Sequence, residues 1–185
     1  MKKRTILGLV AFAAMLFLGG CASSGPARDI NDPANSLVFA YIDMEDAPTE
    51  MSYANIRQVF PKSEEGYWGM GVDDGLLFNQ YLPAGGYQMA NFGGAGFWSG
   101  EHEYSFPIYG RNVTAVRADK PGIYFLGAYK YVEVDTGFFE QDKFNIAPMA
   151  SPAEKELLTR ISQMKWVKGS QWEERIRTRL AELGK

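Results

Sequence analysis

"LPAGGYQMANF", residues 82–92, decides how this chain folds. A proline that cannot join a central ladder comes first, then glycine able to take a turn conformation, then a tyrosine at the start of an alternating run. That is the order of a turn feeding a β-strand, in which the tyrosine ring packs while its hydroxyl reaches the turn backbone. "KPGIYFLGAYKY", residues 120–131, uses the same device. Two copies are too few for an internal repeat, yet both read as strands set off by turns.

Working outward, the same punctuation divides the rest. "LVFAYIDM", from Leu37, is a β-branched, aromatic and aliphatic run closed by the acidic turn-like "EDAPTE". Further strands are expected at 54–60, 66–72, 76–81, 86–92, 103–108, 113–117, 122–134 and 138–146. Pro61-Lys62-Ser63, Asp73-Asp74-Gly75, Pro83-Ala84-Gly85, Tyr109-Gly110-Arg111-Asn112 and Asp135-Thr136-Gly137 supply the turn chemistry between them. No helical period runs through this region. Eight or nine short strands predict a mainly-β domain, an antiparallel β-sandwich over residues 37–148.

Residues 149–185 read differently. "SPAE" (151–154) and "SQWE" (170–173) are capping boxes, the first with proline at the first helical position. Leu157, Leu158, Ile161 and Met164 form one apolar stripe, and Trp172, Ile176, Leu180 and Leu183 a second, with Gly169 between. A C-terminal two-helix hairpin is expected, packed on the sheet or on a partner. Arg175, Arg177 and Arg179 lie mostly off the second stripe.

The proline-glycine-x-tyrosine strand starts resemble those of prealbumin-like and carboxypeptidase-regulatory-like sandwiches. Residues 37–165 also resemble small bacterial lipoprotein domains with an early PxGxY strand, a later GxYYL-like strand and a helical tail. Tyr124-Phe125-Leu126 departs slightly from the second pattern.

The start of the chain carries a second resemblance. Met1-Lys2-Lys3-Arg4 is basic, the 16 residues from Thr5 to Gly20 are uncharged and rich in Leu, Ala, Phe and Met, and the only cysteine follows at position 21. This is the layout of a secretory signal, too short for a bilayer span of about 20 apolar residues. Leu18-Gly19-Gly20-Cys21 resembles the lipobox of bacterial lipoproteins. The resemblance implies cleavage after residue 20, a diacylglyceryl group on the Cys21 thiol and an acyl chain such as palmitate on the new amino terminus. By the same resemblance, Ala22 and Ser23 after the cysteine imply sorting to the outer membrane, facing the periplasm or the exterior. Several acyl chains at about 0.8 kcal/mol per buried methylene anchor permanently. Residues 22–36 are small, polar and proline-containing, so residues 21–36 are expected as a lipidated terminus and flexible tether.

Removal of residues 1–20 leaves 16 basic residues against 22 acidic, a net charge near −6. That argues against nucleic acid as a partner, because phosphate contacts need a basic stripe. With one cysteine there is no intrachain disulfide, so the core must hold the domain. The full chain's 4 Trp, 10 Tyr and 12 Phe suit a packed β domain.

Few residues suggest chemistry. His102, the only histidine, stands in "EHE", where alternation sends Glu101 and Glu103 to one face and the imidazole to the other. Metal binding is not expected from such a set, nor is a Ser-His-Asp triad, since no G-x-S-x-G elbow exists. Asp43, Glu45, Asp46 and Glu50 lack the spacing of a calcium loop. "GGAGFWSGEHE" (93–103) is neither a dinucleotide fingerprint nor a P-loop, and no cofactor is expected. Its glycines make for an adaptable loop that carries Phe97 and Trp98, either a contact surface or a lid on the domain.

The expected function is a lipid-anchored, non-enzymatic accessory or adaptor domain, binding another envelope component through Phe97 and Trp98 or through Arg175 and Arg179. The alternative is a carbohydrate- or peptidoglycan-binding module using the loop aromatics; an envelope hydrolase ranks third.

Overall fold

The computed structural model describes residues 29–62, 66–96, 100–107, 113–134 and 143–185. Cys21, Phe97, Trp98 and the signal segment lie outside them. Among the described residues, nine strands and two C-terminal helices follow in order: β1 (Ser36–Asp43), β2 (Tyr53–Phe60), β3 (Tyr67–Asp73), β4 (Leu76–Leu82), β5 (Gly85–Gly96), β6 (Gly100–Ser105), β7 (Ala115–Ala118), β8 (Ile123–Val134), β9 (Lys143–Met149), α1 (Glu154–Ser162) and α2 (Gln171–Glu182). The domain is mainly β with a helical tail, as the sequence predicts. No helix among the described residues is long and apolar enough to cross a membrane.

The strands run β6-β5-β2-β3-β4-β1-β8-β9, with β7 joined to β5 beside β6. All neighbours are antiparallel except β1 and β8. That parallel pair makes the sheet mixed. A strand with helices on one face and core on the other is buried on both, which is why "LVFAYI" is a continuous apolar run and not an alternating one. Leu37, Val38, Phe39 and Ile42 are fully buried.

The sheet turns a corner within β3. Tyr67 to Met70 pair with β2, whereas Gly71 to Asp73 pair with β4. At the corner the Phe78 ring closes over Gly71, 2.5 Å from where a Cβ would stand. The two halves therefore curl toward one another around an inner core. Val38, Ala40 and Ile42 of β1 meet Ile56, Met89 and Phe92 of the other half there. The far ends close on an aromatic cluster: Phe92 stacks on Tyr104 with centroids 5.2 Å apart, and Phe144 of β9 sits edge-on to both at 5.3 and 5.2 Å.

A second core lies on the outer face of β4, β1 and β8. Leu37, Phe39 and Leu76 meet Leu157, Leu158, Ile161, Trp172 and Ile176 of the helices. Both apolar stripes read from the sequence face this layer, with Met164, Leu180 and Leu183 at its rim. The first cap differs in detail. Helix α1 starts at Glu154, and the Glu156 carboxylate accepts from the Ala153 N–H at 3.1 Å, so the box is shifted two residues along. Ser170 caps α2 as predicted, its Oγ accepting from the Trp172 N–H at 3.2 Å.

Both turn-strand devices close as read. The Tyr87 hydroxyl donates to the Pro83 carbonyl at 2.7 Å, and the Tyr124 hydroxyl to the Lys120 carbonyl at 2.6 Å.

The glycine-rich stretch corrects an expectation. Residues 93–96 and 100–103 are the arms of the β5–β6 hairpin, not an adaptable loop, with Gly93 opposite Glu103 and Gly94 opposite His102. A Cβ on Gly94 would fall on the Glu50 carbonyl oxygen. The glycine is required by close backbone approach, not by mobility. Between these arms the tip, with Phe97 and Trp98, lies outside the described residues.

Candidate functional site

The described candidate residues, Arg175 and Arg179, share one groove. It runs between α2 and the turn that opens β8, has a volume of about 560 Å³, and is lined on one side by Lys120, Ile123 and Tyr124 and on the other by Arg175, Thr178 and Arg179. The turn wall is held by the Tyr124–Lys120 bond, and the helical wall by the second core beneath it.

Arg179 is committed within the fold. Its guanidinium bonds to Glu154 of α1 at 2.9 Å and to Glu182 at 3.1 Å, and these bonds raise its pKa above the ordinary arginine value. Arg175 is placed differently. Its plane lies over the Trp172 ring, 4.3 Å from the centroid. Nη1 donates to the Asn35 carbonyl at 3.0 Å and to Gln171 Oε1 at 3.2 Å. Burial lowers its pKa, with Tyr124 acting the other way. No carboxylate pairs with it among the described residues.

Asn35 belongs to a clasp. From Ile30 onward, the segment expected as tether is bound to the start of α2. Gln171 Nε2 donates to the Ile30 carbonyl at 2.8 Å and to the Asp32 carbonyl at 2.6 Å, and its N–H donates to Asn31 Oδ1 at 3.0 Å. Lys120, Tyr124, Thr178 and this clasp were not predictable as site residues. The one signal was the proline-glycine turn itself, which brings Lys120 and Tyr124 to the same edge.

Two other surfaces carry polar groups. On the outer face of β2, β5 and β6, Asn55 donates to Asn91 at 2.8 Å, and Asn91 donates to Glu103 at 3.0 Å. Glu103 also accepts from Ser105 at 3.1 Å and from Tyr53 at 3.3 Å. The bonds from Asn91 and Ser105, aided by Tyr53 and opposed by burial, hold its pKa below the ordinary glutamate value. A depressed folded pKa means that the carboxylate stabilises the fold above the ordinary carboxylate range and loses that contribution as pH falls through the folded value. A carbon-13 titration should place the Glu103 midpoint below the ordinary value, and Asn91→Ala should raise it. A midpoint at the ordinary value in the unmodified chain would mean that the row is not formed in solution.

The acidic loop lines a second groove, of about 490 Å³, with Asp43, Glu45, Glu50 and Asp74 around Tyr41. Burial first, then Asp43 and Asp74, raises the Tyr41 pKa. Among the described residues no three side chains of the metal-binding types converge. Asp46 instead pairs with Lys130 at 2.7 Å. His102 is half-buried, its ring parallel to Tyr104 at 6.4 Å.

Comparison with known proteins gave no match, whether to a protein family, a curated protein or a solved structure.

Proposed function

We propose that this chain is a lipid-anchored accessory domain of the bacterial cell envelope, held at the outer membrane through Cys21, that binds another envelope component and catalyses no reaction. The location rests on the likeness of Leu18-Gly19-Gly20-Cys21 to a lipobox. The binding role rests on the α2 groove, a concavity walled by two separate elements with Arg175 half-buried in it. Recognition sites favour a preformed concavity with a few oriented polar groups, and arginine is enriched where binding energy concentrates.

The test is photo-crosslinking in living cells from a reactive residue replacing Thr178, with Trp98 as a parallel position and Cys21→Ser as the anchoring control. A discrete adduct from position 178 that depends on Cys21 is expected, and mass spectrometry then names the partner. Adducts from position 98 alone would move the contact to the β5–β6 tip and overturn the groove. No adduct from either position would overturn the adaptor reading.

One observation favours a glycan module as the second reading. Tyr67, 60% exposed, stands on the same outer face as the Asn55–Asn91–Glu103 row, with the side-chain-free Gly69 between. Aromatic faces beside planar amide and carboxylate groups suit sugar rings, and Phe97 and Trp98 are the aromatics first assigned to that role. Soluble peptidoglycan fragments should then quench the tryptophan fluorescence of the full chain; unchanged emission removes this reading.

A further inference from the structure

The charges around the α2 groove are unevenly matched. Arg179 is neutralised by Glu154 and Glu182, and Glu174 by Arg177. Lys120 has no ion-pair partner among the described residues, and neither has Arg175. The Arg175 Nη1 atom is occupied by Asn35 and Gln171, which leaves the donors on Nε and Nη2 without an acceptor among the described residues. These form the edge of a guanidinium that can hold two oxygens of one oxyanion in a fork. Donors left unused on a half-buried cation are costly unless a ligand or water takes them. The groove also offers the Thr178 hydroxyl as a further polar group.

The geometry points to the groove as a binding site for a phosphate group, with Arg175 gripping two oxygens and Lys120 and Thr178 serving the others. A tetrahedral oxyanion suits donors on two opposed walls better than a planar carboxylate, whose two oxygens the Arg175 fork alone would satisfy. This names the ligand chemistry of the groove proposed above, and it rests on that reading.

Two sources could present such a phosphate: a lipid headgroup, or a free phosphate in solution. The anchor keeps the first within reach. Ile30 is the first residue bonded to α2, and the nine residues from Cys21 span at most about 32 Å.

The test uses the purified full chain in a neutral maltoside detergent, with the Arg175 Nε–H resonance assigned by its loss in Arg175→Lys. Inorganic phosphate is titrated in one arm, phosphatidylglycerol in the same micelles in a second, and chloride at matched ionic strength in a third. A saturable shift of that resonance in either phosphate arm, absent with chloride, is expected. Loss of one charged contact in Lys120→Ala should weaken binding about tenfold or more. Saturation with phosphatidylglycerol alone would assign a headgroup, and saturation in both arms would show that free phosphate suffices. Shifts that fail to saturate in both phosphate arms, or that Lys120→Ala leaves unchanged, would overturn the phosphate site. No partner protein is present in this measurement, so its failure is distinct from a failed crosslink.

Discussion

Trp172→Ala should cost about 3–5 kcal/mol of unfolding free energy, the range for truncating a fully buried aromatic side chain. Trp172 has no exposed surface and stands in the outer core with Leu157, Ile161 and Ile176 against Leu37 and Phe39. Its ring also carries the Arg175 guanidinium, so truncation removes the support beneath that groove residue as well. The indole Nε1 is buried without a hydrogen-bond partner among the described residues. Trp172→Phe therefore loses no hydrogen bond and should cost well under half as much, about 1.5 kcal/mol or less. Urea unfolding followed by circular dichroism reads both variants. A loss below about 1 kcal/mol for the alanine variant would mean that the hairpin is not seated on the sheet.

Phe92→Ala should cost a similar amount, about 3–5 kcal/mol, by opening the other core. Phe92 is fully buried and touches Tyr104 and Phe106, both before β7 in the chain, and Phe144 of β9, at centroid distances of 5.2, 5.8 and 5.3 Å. These contacts join opposite ends of the sheet. The two variants should differ in what loosens first. Native-state hydrogen exchange should accelerate in α1 and α2 for Trp172→Ala, and in β6 and β9 for Phe92→Ala. Acceleration of the same amides in both would show that the two cores open as one unit.

The strands were legible because their signals are local. Proline, glycine and tyrosine mark the starts of β5 and β8, and Asp73-Asp74-Gly75 turns β3 into β4 with positive φ at Asp74 and Gly75. The helical stripes were legible for the same reason. The parallel pairing of β1 with β8 was not, since it joins residues more than eighty apart and no turn reports it. Nor was the strand character of Gly93 and Gly94, where glycine is demanded by the backbone carbonyls of His102 and Glu50 from elsewhere in the chain. Of the two described candidate residues, sequence located both on one helix, but it could not reveal that Glu154 and Glu182 occupy Arg179 while Arg175 has no carboxylate partner among the described residues. The Asn55–Asn91–Glu103 row was invisible for a like reason, being assembled from three strands.

The place of β1 sets the order in which this chain can be completed. It is the earliest of the described strands in the chain, yet its neighbours are β4 and β8, and its outer face is covered by α1 and α2. A nascent chain carries "LVFAYI" as an open, sticky template until both later strands and α2 have emerged. Shielding during biogenesis is thus a demand built into the topology, and a ribosome that stalls before Trp172 leaves Leu37 and Phe39 uncovered.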